Sequence, residues 1–160
     1  MWLRNGEVRH QSGTATCQAT GRGSIAIAHG ANSEAEAING DRNRSIVHGD
    51  NSAAYTGGGD GNTATVRGDG AYAGSGFGNA NTATATGDGA YALAINGDAN
   101  VATADGDHAF AGAGFGDANT ASASATGSHA EAGGGDGNTA TAHSAGCTAT
   151  AVGDGVSDSC

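Results

Sequence analysis

The 160-residue chain has no proline, no lysine and only two leucines, and its aromatic residues are one Trp, three Tyr and three Phe. A conventional core is made of large aliphatics and aromatics, so their scarcity excludes a mixed α/β enzyme fold and most helical bundles. The 31 glycines point the same way. Each would cost a helix interior up to about 1 kcal/mol. Basic residues are missing from more than half of the chain: all six Arg lie in residues 1–67, balanced by six acids, while residues 68–160 hold ten acids and no Arg or Lys. The net charge of −10 argues against nucleic acid as a partner. It suits a surface that repels its like, attracts cations or mimics a polyanion. The three cysteines, Cys17, Cys147 and Cys160, are too few and too scattered for a disulfide framework, and no CxxC spacing suggests a structural zinc. The first residues, MWLRNGEVRH, lack the apolar run of about 7–15 residues and the cleavage site of a secretory signal. No stretch approaches the ~20 apolar residues of a membrane span.

What is present is a period. Gly21, Gly40, Gly59, Gly78, Gly97, Gly116 and Gly135 stand 19 residues apart without a slip. Gly30, Gly49, Gly68, Gly87 and Gly106 follow the first five of them at nine residues. Such phase is the mark of a solenoid rather than of disordered low-complexity sequence. Written in columns, the repeat places Asn43, Asn62, Asn81, Asn100, Asn119 and Asn138 together. Ala64, Ala83, Ala102, Ala121 and Ala140 fall two positions later. The second half of each repeat gives Ala35, Ala54, Ala73, Ala92, Ala111, Ala130 and Ala149. Small residues alternate with others at period two, which is the strand signature. The expected fold is therefore all-β. It is a β-solenoid of about eight 19-residue coils, with two short strands per coil and a thin Ala-rich core. Residues 1–20 are expected to form an irregular first coil and a cap in which Trp2, Leu3 and Val8 cover the open end. Residues 21–153 form the solenoid, and residues 154–160, where the column pattern is lost, form a tail.

Function should lie in the outward columns. One half-repeat presents Thr63 and Thr65, Thr82 and Thr84, Val101 and Thr103, Thr120 and Ser122, and Thr139 and Thr141. These make two parallel ranks, ~7 Å apart along the strand and ~4.8 Å apart between coils. The ranks resemble the ice-binding face of insect-type β-solenoid antifreeze proteins, a likeness that implies ordered water held on methyl and hydroxyl groups. Outward Thr is also what strand propensity alone would choose. The other half-repeat carries Tyr72, Tyr91, Phe110 and His129 in one column. Leu93 and Ile95 face glycines in neighbouring coils, and Phe77 and Phe115 recur two coils apart. An exposed stripe of this composition reads as a self-association interface, or as large residues covering neighbouring glycines.

The Asp column, with Asp60, Asp98, Asp117 and Asp136, has the look of calcium-binding β-roll repeats, and Gly58–Val66 (GGDGNTATV) resembles their nonapeptide. However, Thr63 stands where that motif has its liganding Asp, so calcium is a weak expectation and no other cofactor is expected. His29 and His48 share a column, as surface residues without a third ligand. No catalytic constellation is present, and a thin solenoid offers no cleft that excludes water, so the chain reads as non-enzymatic.

Residues 23–54, GSIAIAHGANSEAEAINGDRNRSIVHGDNSAA, resemble the head repeats of trimeric autotransporter (YadA-like) adhesins, which also occur in phage tail fibres. The resemblance implies a left-handed β-roll, three chains side by side and a place on a cell or virion surface. Three readings follow. The leading one is a surface-exposed structural or adhesive rod that associates with itself or binds a receptor. The second is an ice-binding protein, and the third an acidic polyanion mimic.

Overall fold

The computed structural model describes residues 14–160 in full and, of the first thirteen, the backbone of two short strands. In chain order the strands are β1 (Trp2–Arg4), β2 (Glu7–His10), β3 (Thr16–Ala19), β4 (Ile25–His29), β5 (Glu34–Ala37) and β6 (Arg44–His48). Then come β7 (Ala53–Gly57), β8 (Thr63–Val66), β9 (Tyr72–Gly76), β10 (Thr82–Ala85), β11 (Tyr91–Ile95) and β12 (Val101–Ala104). The last are β13 (Phe110–Gly114), β14 (Thr120–Ala123), β15 (His129–Gly133), β16 (Thr139–Ala142), β17 (Thr148–Val152) and β18 (Ser157–Ser159). The even strands from β4 to β18 form one sheet in sequence order, and the odd strands from β3 to β17 form the other. Pairing within each solenoid sheet is parallel and in register, as in Thr82↔Val101 and Tyr91↔Phe110. The chain is a β-solenoid of about eight coils with two strands per coil.

The alternation seen in the sequence sets which side chains are inside. Strands such as Thr82–Ala85 and Thr120–Ala123 bury every second residue. The inner columns are almost wholly alanine; Val47 and Val66 are the largest apolar side chains fully buried. With so little side chain between them, the two sheets approach closely, and each coil depends on its neighbours for burial. The turn glycines belong to the same economy. A Cβ on Gly97 would lie 2.7 Å from the carbonyl carbon of Gly116 in the next coil, and the other members of both glycine series meet the following coil in the same way.

Two side-chain ladders hold the corners. The Asn column is fully buried, and its bonds run mainly to the main chain. Asn100 Oδ1 accepts the Asn119 N–H at 2.9 Å, and its Nδ2 donates to the Gly116 carbonyl at 2.9 Å. Asn62 and Asn81 repeat the pattern. Ser24 stands in for Asn in the first coil, donating to the Gly40 carbonyl and accepting the Asn43 N–H. The turn aspartates bond in the opposite direction along the rod: Asp98 Oδ1 accepts the Asn79 N–H, and Asp117 Oδ1 accepts the Asp98 N–H. Among the described residues, no buried side-chain nitrogen or oxygen lacks a partner.

The two ends depart from the repeat. β1 and β2 form an antiparallel hairpin laid along β4, with Trp2 opposite Ile27 and Arg4 opposite Ile25. The side chains of Trp2, Leu3 and Val8 lie outside the described residues. At the other end the coil shortens by one residue: Asp136 N–H finds its acceptor, Asp154, at a spacing of 18. With that shift the ladders continue into the tail. Val156 N–H bonds to Asn138 Oδ1, β18 pairs with β16, and a disulfide joins Cys147 to Cys160. A strict 19-residue alignment hides this continuation.

Candidate interaction faces

Two outer faces carry the residues singled out in the sequence. On the first sheet, Thr63 pairs across to Thr82 and Thr65 to Thr84. Thr84 continues to Thr103, and Thr103 to Ser122. Thr120 pairs with Thr139, and Ser122 with Thr141. The two ranks therefore run through five consecutive coils, with Val101 the one apolar member. To the N-terminal side the columns pass into Arg44 and Ile46. Beside them Thr86 donates to Asp105 Oδ1 at 2.7 Å.

The outer face of the second sheet is built differently. Tyr72, Tyr91, Phe110 and His129 stack along the rod, with successive ring centroids 4.7, 5.6 and 4.5 Å apart and planes within 17°. Tyr55 adds a fifth ring at 5.6 Å from Tyr72. The column alignment misses it, because Tyr55 pairs with Gly74, one column over; its ring leans toward Tyr72 and its hydroxyl donates to Glu34. Burial pushes the Tyr55 phenol well above the ordinary tyrosine range, and the Glu34 bond adds to the shift. Tyr72 is raised by burial and then by Tyr91. The faces of these rings are largely taken up by one another.

Leu93 and the Tyr72 ring both lie over Gly74, and the Phe110 ring lies over Gly112. Part of the stripe thus covers its neighbouring glycines. The Phe77 ring edge reaches back over Gly58 of the preceding coil, yet Phe77 and Phe115 remain 71% and 72% exposed at the turns that follow β9 and β13. Two open troughs of about 350 and 370 Å³ flank the Leu93–Ile95 ridge. Ile38 closes one and Val152 the other, two residues of the Ile95 column that the sequence reading passed over.

The Asp60, Asp98, Asp117 and Asp136 side chains each accept a backbone N–H from the preceding coil. Among the described residues no three His, Cys, Asp or Glu side chains converge on a metal-sized site. His29 and His48 stack at 5.1 Å. No helix of the described residues is long and apolar enough to cross a membrane. Comparison with protein families, with curated proteins and with solved structures finds no match for this chain.

Proposed function

We propose that this chain is a non-enzymatic structural or adhesive rod, exposed on a cell or virion surface, which associates through the outer face of its second sheet. One observation carries the reading. From β7 to β13 the outward strand positions of that sheet are Ala53, Tyr55, Tyr72, Tyr91, Leu93, Ile95, Phe110 and glycines, with no charged side chain among them, in a molecule of net charge −10. Glu36 and Glu131 stand at its margins. A continuous apolar patch with a polar rim is the composition of an interaction surface. The Cys147–Cys160 disulfide supports an oxidising location. Sedimentation of the purified protein over a range of concentrations tests the association. Species larger than 15.2 kDa are expected, and a monomer at every concentration would overturn it.

A second reading, ice binding, is favoured by one separate observation: the in-register threonine ranks across β8, β10, β12, β14 and β16. Methyl and hydroxyl groups repeat there at ~4.8 Å by ~7 Å on a regular sheet. Thermal hysteresis in the parent protein, abolished by Thr84→Lys or Thr103→Lys, is the expected result; an absence of ice shaping excludes it.

A further inference from the structure

Resting on the association proposed above, we propose that the partner on this face is a second copy of the chain, and that Phe77 and Phe115 are its anchors, in place of the stacked ring ladder. The backbone is the first argument. Both residues sit at a turn corner in the left-handed region, at φ 52° and 55°. The same corner in the other coils is filled by Asn39, Gly58, Asn96 and Gly134. Those residue types adopt the conformation cheaply, whereas a bulky side chain there is an outlier. Other left-handed corners of the rod hold Ala, Asn and Gly, with Arg42 and His108 as polar exceptions whose heads can stay in water. Phe77 and Phe115 combine the disfavoured backbone with a ring left in solvent, and strain kept at such a place marks function more often than stability.

The relief of the face names the partner. Along the rod the column through Ile95 reads Ile38, Gly57, Gly76, Ile95, Gly114, Gly133, Val152. The corner beside it reads Asn39, Gly58, Phe77, Asn96, Phe115, Gly134. Both sequences read nearly alike in either direction about coil β11. A two-fold axis requires the same patch on both copies. Here an antiparallel copy presents the same order of ridges and glycine-floored troughs, so an offset of one or two coils lays a ridge of one copy into a trough of the other. Each trough has a phenylalanine at its wall to close over the incoming ridge. From β7 to β13 the face is uncharged, and the two carboxylates that line the troughs, Glu36 and Glu131, stand outside that centre. The seven strands from β5 to β17 cover roughly 34 by 17 Å. That is about 600 Å² per copy, at the low end of stable interfaces, where the ~800 Å² typical of each partner is not reached. A closed dimer with reversible, concentration-dependent assembly follows.

The test uses Phe77→Asn with Phe115→Asn, since asparagine is the residue the rod itself places at this corner. The double variant is expected to melt at or above the parent temperature and to dimerise at least about a hundredfold more weakly, as the loss of two aromatic anchors would give. Tyr91→Ser with Phe110→Ser is expected to lower the melting temperature and keep the dimer below it. In the parent, sedimentation should stop at twice the monomer mass. If the Asn variant associates like the parent, or if the parent grows open-endedly, this inference fails while association through the face still stands. A parent that stays monomeric removes both.

Discussion

The asparagine ladder gives the most direct test of how the rod is held together. Asn100→Ala removes a buried acceptor and a buried donor in one step. Asn119 N–H loses its partner at 2.9 Å, and the Gly116 carbonyl loses its donor at 2.9 Å. The site is 0% exposed, and the inner face is too closely packed with alanine to admit compensating groups easily. A buried backbone group left without its hydrogen bond costs about 1–3 kcal/mol, so the two together cost about 2–6 kcal/mol. Small domains have about 5–15 kcal/mol of stability in all. In a solenoid the damage stays with the affected coil and its neighbours before it spreads. Two readouts are therefore needed: the urea midpoint, and hydrogen exchange at the Asn119 amide. The expected result is a loss of several kcal/mol together with rapid exchange at Asn119. Asn100→Ser should recover part of the loss, because Ser24 performs both bonds in the first coil. Should Asn100→Ala cost under about 1 kcal/mol with Asn119 still protected, water has entered the corner and the ladder is not what holds it.

Other predictions follow from packing and titration. Gly97→Ala should prevent the coils from closing, since its Cβ would meet the Gly116 carbonyl, whereas Gly61→Ala meets nothing within 4 Å and should cost only about 1 kcal/mol of backbone strain; equal melting temperatures would disprove the close-approach account. Ala102, fully buried, should not accept leucine, with overpacking costing about 1–3 kcal/mol or more between sheets that cannot spread, while Thr103→Val on the outer face should be nearly neutral by thermal melting. The raised pKa of Tyr55, due first to burial and then to its bond with Glu34, means that the folded state holds this proton more tightly than the unfolded chain. The stability it contributes is complete below pH ~10 and is lost as pH rises toward the folded value. Absorbance near 295 nm should accordingly show Tyr55 ionising above the ordinary tyrosine range, and Glu34→Gln should bring it earlier; ionisation of Tyr55 within the ordinary range would contradict this.

The architecture was legible in the sequence because a solenoid writes its structure as columns. The glycine phase sets the coil, and the alternation of Ala with Thr sets the strands and their faces. What was not legible depends on register shifts or on side chains that cross between coils. Within the stretch expected to be irregular, β3 runs Thr16–Ala19, one residue out of phase, because Cys17 pairs with Ala35 at a spacing of 18 rather than 19. The same one-residue shortening concealed the continuation into 154–160 and so the Cys147–Cys160 pairing. The turn aspartates resemble a calcium repeat in sequence, and their acceptor role, which reaches an amide 19 residues away, shows only in the stacked coils. Tyr55 was overlooked because a ring's reach, not its column, decides which ladder it joins. On the second face, the sequence groups the aromatics in one stripe; stacking turns Tyr72, Tyr91 and Phe110 toward one another, and the backbone angle and exposure of Phe77 and Phe115 set them apart.

In a fold made by repetition, a residue that obeys its column is explained by stacking, and a residue that breaks it at a cost asks for another reason. Asp158 shows how a departure can be accounted for structurally. It occupies the position paired with Ala140, in the column of buried alanines, and its Oδ2 accepts the Thr150 N–H of β17 at 2.7 Å. A carboxylate turned over an edge strand in this way blunts that edge against adding a further strand, as inward charges do on the edges of other sheets. The hairpin of β1 and β2 lies across β4 and ends the parallel series of the first sheet there. These departures interrupt the parallel series at β17 and at β4, and they oppose growth by stacking coil on coil there. Phe77 reaches over Gly58 of the preceding coil, but it and Phe115 guard no edge and leave most of their rings in solvent. With growth along the axis opposed, the side of the rod is where an unexplained pair of rings can act, and the strands beside them, from β7 to β13, carry no charged side chain.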